Sequence, residues 1–285
     1  MIHILASLSF CLLACAPAPE QQQKTPTPVA TPSLPLRTSF TTNALWDDGL
    51  AEVATYSSTR TIYGASRHFE YTMVTVKEDF NREYDVKTDS YSRHDLFTVL
   101  KVNLFARIPT ENYPYHFLTS MFLRREDVGR LHKLTTSSQE WCGNTFKNIG
   151  RSAGLLRYSW DSYWDGEGVG STNLDTTALF EDQLFVTLRA LDFREGLTHS
   201  FALYPSMITS RATLAQPRNA SLSVTTDSLA ITAVATWRVT VTQSEGPLLE
   251  FWFAKDFPHV LHRYVASDGR SMMLSSIRRA AYWQN

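Results

Sequence analysis

From Leu50 onward the hydrophobic and polar positions of the chain alternate. Phe69, Tyr71 and Met73 are separated by single polar residues, and Leu100, Val102 and Leu104 follow Leu96 with Lys101 and Asn103 between them. Tyr115, Phe117, Met121 and Leu123 repeat the pattern, as do Leu156, Tyr158, Trp160 and Trp164. Successive side chains of a strand point to opposite faces, so a period of two predicts antiparallel strands with one face buried and one wet. Thr236 to Val241 and Leu249 to Phe253 add β-branched and aromatic runs of the same kind. Turn residues separate the runs at Tyr63-Gly64-Ala65, Glu126 to Gly129, Asp165 to Gly168, Glu245-Gly246-Pro247 and Ser267-Asp268-Gly269, which predicts hairpin connections. The end of the chain reads as three successive strands.

One segment departs from this period. Phe180, Leu184, Leu188 and Leu191 recur at helical spacing, with Asp175, Thr176 or Thr177 as candidate caps and Gly196 beyond the end. The expected fold is therefore all-β and mainly antiparallel, built on a large curved sheet or open half-barrel, with one substantial helix near 176–192 packed on it.

The first fifteen residues contain no Asp, Glu, Lys or Arg, and Ile4 to Ala14 form an apolar run interrupted only by Ser7 and Ser9. Such a run has the length of a signal-peptide core, and spanning a bilayer takes roughly 20 residues. It ends in Leu12-Leu13-Ala14-Cys15, which resembles the lipobox of bacterial lipoproteins. The resemblance implies a signal peptide over 1–14 and a mature terminus at Cys15, whose thiol carries fatty acyl chains such as palmitate. An ordinary secretory signal is the alternative. Ala16, standing where an aspartate would direct retention at the inner membrane, implies an outer-membrane lipoprotein facing the periplasm, with surface exposure left open. Six of the twelve prolines lie between Pro17 and Pro35. Their extended conformation predicts a tether over 15–44 and a single β-rich domain over 45–285.

Composition narrows the function. With 27 basic and 28 acidic residues the formal charge is −1, which leaves no basic footprint for nucleic acid. Of three cysteines, Cys11 leaves with the signal and Cys15 is acylated, so Cys142 has no partner for an intramolecular disulfide. The core alone must hold the domain. Charged residues such as Lys101 and Arg107 on the face opposite the apolar one argue against a membrane-spanning barrel.

Three stretches, Trp46 to Glu52, Ser137 to Gly143 and Phe251 to Val260, resemble a family of bacterial exported proteins and lipoproteins whose domain has no assigned function. Some of its members carry the label septum formation inhibitor. That label belongs to cytosolic nucleotide pyrophosphatases of α/β fold and conflicts with the β pattern here. The closing strands also resemble envelope proteins built on curved antiparallel sheets, some of which hold lipid or lipoprotein cargo.

No stretch carries a signature of catalysis. As a nucleophile, Cys142 needs a base such as His116 or His132 close by, and the expected reading is a buried structural cysteine with Gly143 at a strand bend. The cluster Trp160 to Glu167 has the carboxylates and rings of a glycosidase site, but also fits a strand running into an acidic turn, with too few ligands for calcium. The eight histidines never pair at metal-ligand spacing, and no nucleophile elbow or phosphate-cradling loop occurs. No catalytic residue, metal or cofactor is therefore assigned. Aromatic residues make up 12% of the chain. A surplus beyond the core would line a groove for an apolar ligand, and Tyr158, Trp160 and Trp252 are the candidates. The expected function is a membrane-anchored, non-catalytic envelope protein that binds an apolar ligand such as a lipid, or a partner protein; a hydrolase acting on an envelope polymer is the alternative.

Overall fold

The computed structural model describes residues 34–284 except 153, 214–215 and 230–233. The export signal and Cys15 lie outside the described residues. One large, mostly antiparallel open sheet of 16 strands makes up nearly all of the fold. The strands β1 (Ala51–Ile62), β2 (Ala65–Asn81), β3 (Val86–Lys87), β4 (Leu96–Ile108), β5 (Tyr115–Arg124), β6 (Asp127–Glu140), β7 (Gly143–Ser152), β8 (Leu155–Ser162) and β9 (Val169–Leu174) meander through one half. The other half follows as β10 (Leu179–Phe180), β11 (Thr198–Tyr204), β12 (Arg218–Leu229), β13 (Val234–Gln243), β14 (Leu249–Ala254), β15 (Leu261–Ala266) and β16 (Ser271–Ala280). Strand β16 returns to pair with β1, so the order runs from β10 to β16, through β1, and on to β9.

The hairpins explain this economy. At the β1–β2 tip, Tyr63 and Gly64 both have positive φ, 54° and 72°, the geometry of a primed turn whose twist matches the flanking strands. The alternation read from the sequence sets the buried face. Leu100, Val102 and Leu104 are buried on β4, and Tyr115, Phe117, Met121 and Leu123 on β5. On β1 the inward set is Glu52, Ala54, Tyr56 and Ser58, continued by Arg60.

The expected helix is shorter than the leucine spacing suggests. Residues 176–178 precede β10, whose Leu179 and Phe180 pair in parallel with Leu203 and Tyr204 of β11. A 3-10 turn, Glu181–Gln183, then leads into α1 (Leu184–Thr187) and a second 3-10 turn, Leu188–Ala190. The segment is buried on every side, its polar residues included. A helix lying on a sheet would show a wet stripe, whereas this one is a plug enclosed by the sheet. Its ends are set by what it must reach: β11 at the start, and Pro35 and Leu36 at the end, where Leu36 bridges Leu191.

The described segment ahead of β1 packs on the sheet, with Leu34, Phe40 and Trp46 in the core. Phe40 and Trp46 are buried edge to face, 5.6 Å between centroids, and the Trp46 indole donates to the Phe40 carbonyl at 2.8 Å. This segment closes the rim of the sheet that also carries the β5–β6 turn, since Arg125 donates to the Thr41 carbonyl. No helix among the described residues is long and apolar enough to cross a membrane.

Candidate functional site at the hairpin rim

The opposite rim carries the tips of the β1–β2, β4–β5, β6–β7, β8–β9 and β15–β16 hairpins. Between this rim and the start of the plug lies a cavity of about 40 Å³ within some 480 Å³ of unfilled space that includes its open mouth. Its walls are mixed. Phe69, Ile108, Phe117, Phe185, Ile208 and Met272 supply the apolar part; Arg60, Asp182, Tyr264 and Arg270 supply the polar part.

Each polar group reaches the cavity for a definite reason. Arg60 stands two residues beyond Ser58 on the inward face of β1, packs its guanidinium 5.2 Å from the Phe117 ring centroid, and donates Nη2 to the Ile208 carbonyl at 2.8 Å. No carboxylate of the described residues lies within ion-pair distance of it, and burial, with Arg270 nearby, pulls its pKa down. Asp182 opens the plug and is fully buried; its carboxylate accepts from the Ser206 hydroxyl at 2.5 Å and the Met207 amide at 2.7 Å. Burial pushes its pKa up to about 6, against the pull of these two donors. Arg270, at the β15–β16 turn, is held by Glu181 at 2.5 Å and Asp268 at 2.7 Å. The Tyr264 hydroxyl is buried with no hydrogen-bond partner, and burial holds its pKa well above the usual value.

The loop that supplies Ser206 and Ile208 is fastened by Lys147. This lysine is 1% exposed, and its ammonium donates to the carbonyls of Met207, Thr209 and Arg211 at 2.6, 2.8 and 2.9 Å and to the Thr209 hydroxyl at 3.0 Å. Burial pulls its pKa down to about 8. Outward from the cavity, rings follow one another from Phe117 to Tyr115, 6.2 Å apart and nearly parallel, then to Tyr113 at 5.7 Å and to Trp141 at 5.9 Å. Trp141 ends the series 78% exposed.

The residues singled out in the sequence lie elsewhere. Tyr158 is buried on β8, its hydroxyl donating to the Ala212 carbonyl at 3.1 Å, and Trp160 packs on it with centroids 4.8 Å apart. Trp160 rests against Gly170, where a Cβ would stand 2.3 Å from the indole, so only glycine fits there. Trp252 is on the other half of the sheet, between the guanidiniums of Arg238 and Arg263, and donates to Asp227 at 2.9 Å. The fold brings Tyr158 and Trp160 together and keeps Trp252 apart; none of the three lines the cavity.

Cys142 is a correction. It is exposed, because Trp141 and Cys142 form the two-residue tip of the β6–β7 hairpin, with Glu140 opposite Gly143. A tip side chain has no core to enter, so the expected buried position is not available to it. Gly143 accordingly follows the tip rather than bending a strand. Asp165 to Gly168 do form the turn between β8 and β9. Among the described residues no group of three or more His, Cys, Asp or Glu could hold a metal ion.

Sequence reading missed Arg60, Asp182, Tyr264 and Arg270. Two of them left a trace: Arg60 shares the parity of Tyr56 and Ser58, and Asp182 sits in the polar run Glu181 to Gln183 between Phe180 and Leu184. Comparison with known proteins adds little to this geometry. No family model matches the chain, and no curated protein matches it. A crystal structure of a DUF1089 family protein from Pseudomonas aeruginosa is similar with a TM-score of 0.37 at 13% identity, over 58% of this chain and 83% of that one.

Proposed function

We propose that this protein is a non-catalytic envelope protein, anchored through Cys15 in the outer membrane, that binds an amphiphilic ligand in the cavity at the hairpin rim. One observation carries the reading. An unpartnered Tyr264 hydroxyl and the Arg60 guanidinium face the same small space as Phe69, Ile108, Phe117 and Met272. Buried polar groups are normally satisfied, so a lone hydroxyl beside a charge in an apolar cavity suits a ligand with a polar end and an apolar body. The ring series from Phe117 to Trp141 gives the apolar body a surface to follow out of the mouth.

Filling the cavity tests this. Ala106 lines it, and Ala106→Val places methyl groups in a space of about 40 Å³. A fluorescent acyl probe bound by the native protein is expected to lose affinity about tenfold or more in this variant, which stays folded as read by its urea transition. Equal binding would remove the cavity from the account.

A hydrolase of an envelope polymer is the second reading. The observation in its favour is Asp182, whose pKa of about 6 suits a general acid. Hydrolysis of cell-wall fragments that disappears in Asp182→Asn would establish it.

A further inference from the structure

We infer that the rim cavity selects a singly charged carboxylate as the head group of its ligand, read by Arg60 and Tyr264. This deepens the proposed function and rests on it.

The charges around the cavity point to a monoanion. Three cations, Arg60, Lys147 and Arg270, face three carboxylates, Glu181, Asp182 and Asp268, and Arg270 is already engaged by Glu181 and Asp268. Lys147 is committed to the 207–211 backbone. Glu167, the next carboxylate towards Lys147, has Arg211 beside it at 3.7 Å. Arg60 is left as the one of these cations with neither an acid in reach nor a full set of acceptors. Buried or half-buried charges are ordinarily paired, and a planar guanidinium suits a carboxylate best. The Tyr264 hydroxyl is a neutral donor of the same wall, free to complete the site.

Asp182 makes this binding depend on pH. With its carboxyl ionised the cluster is neutral; with the carboxyl protonated it carries one net positive charge. The groups facing Asp182 are Glu181 beside it, Ser206 and Met207 from the loop, Arg60 and Tyr71 from β1 and β2, Lys147 from β7, Tyr264 from β15, and Asp268 and Arg270 from the β15–β16 turn. Since its carboxyl already titrates near 6, an incoming anion favours the protonated form, and binding takes up a proton. Affinity therefore falls as pH rises from about 5 to about 8.

Calorimetry with decanoate, decyl phosphate, decanol and decylamine on the full chain tests the inference. Decanoate is expected to bind about tenfold or more tightly than the other three, with proton uptake that vanishes in Asp182→Asn. Arg60→Gln should lose about tenfold or more and Arg60→Lys less, while Tyr264→Phe loses a few-fold, roughly one neutral hydrogen bond. Thermal midpoints identify any variant that fails to fold, and the ligand series on native protein stands without them. Equal affinity for decanol and decanoate would show that charge is not read, and tighter binding of decyl phosphate would show that the head group is not a carboxylate. Either overturns the inference while leaving an amphiphile site. Failure of all four to bind would instead overturn the proposed function.

Discussion

The guanidinium of Arg189 and the carboxylate of Glu52, 137 residues apart in sequence, meet through two hydrogen bonds of 2.6 and 3.0 Å with both side chains buried. The pair ties the end of the plug to the first strand. Arg189 also donates to the Pro258 carbonyl at 3.0 Å and lies over the rings of Phe40 and Trp46. It thus joins the N-terminal segment, β1, the plug and the β14–β15 turn.

Breaking that pair leaves a buried charge alone. Arg189→Met is expected to cost about 3–5 kcal/mol, and Glu52→Gln combined with Arg189→Met to cost less than Arg189→Met alone. Urea unfolding of the three proteins measures both. A double variant less stable than the single one would contradict the expectation that the stranded Glu52 carboxylate is the main cost of losing Arg189.

Asp182 predicts a pH dependence of stability. Its folded pKa of about 6 lies above the ordinary 3.8, so the folded state holds the proton more tightly than the unfolded chain. The stability from this group is fully present below 3.8 and is lost as pH rises through about 6. Relative to Asp182→Asn, the native protein should lose up to about 3 kcal/mol between about pH 4 and pH 7. Denaturation of both proteins at several pH values checks the sign; parallel curves would contradict it.

Lys147 predicts where the molecule loosens. Lys147→Met removes the donor from three loop carbonyls at once, at an expected cost of about 2–4 kcal/mol. Hydrogen exchange should accelerate over residues 205–213 and not over β4 and β5. Unchanged protection of the loop would mean that the lysine does not fasten it.

Much of the fold was legible because the sheet buries one face, and burial of one face imposes a period of two on residues such as Leu100, Val102 and Leu104. The plug was only half legible. Its leucines recur at helical spacing, but its polar residues do not mark a wet stripe. They are satisfied inside, Gln183 and Thr187 by the carbonyls of Gly129 and Val128, and Asp182 by Ser206 and Met207. Partners this distant leave no local pattern. The cavity was hidden for the same reason: Arg60 and Tyr264 share a wall because β16, next to β15, returns to pair with β1. Nothing near either residue announces that closure. The rings of Tyr158, Trp160 and Trp252 drew notice by their density, a property that cores and sites share.

Native mass spectrometry of the full chain, purified from its own envelope, tests the central claim most directly. The account predicts a bound amphiphile, retained in Trp160→Ala and Trp252→Ala and absent in Ala106→Val. A protein that carries no adduct, or an adduct indifferent to Ala106→Val, would contradict it.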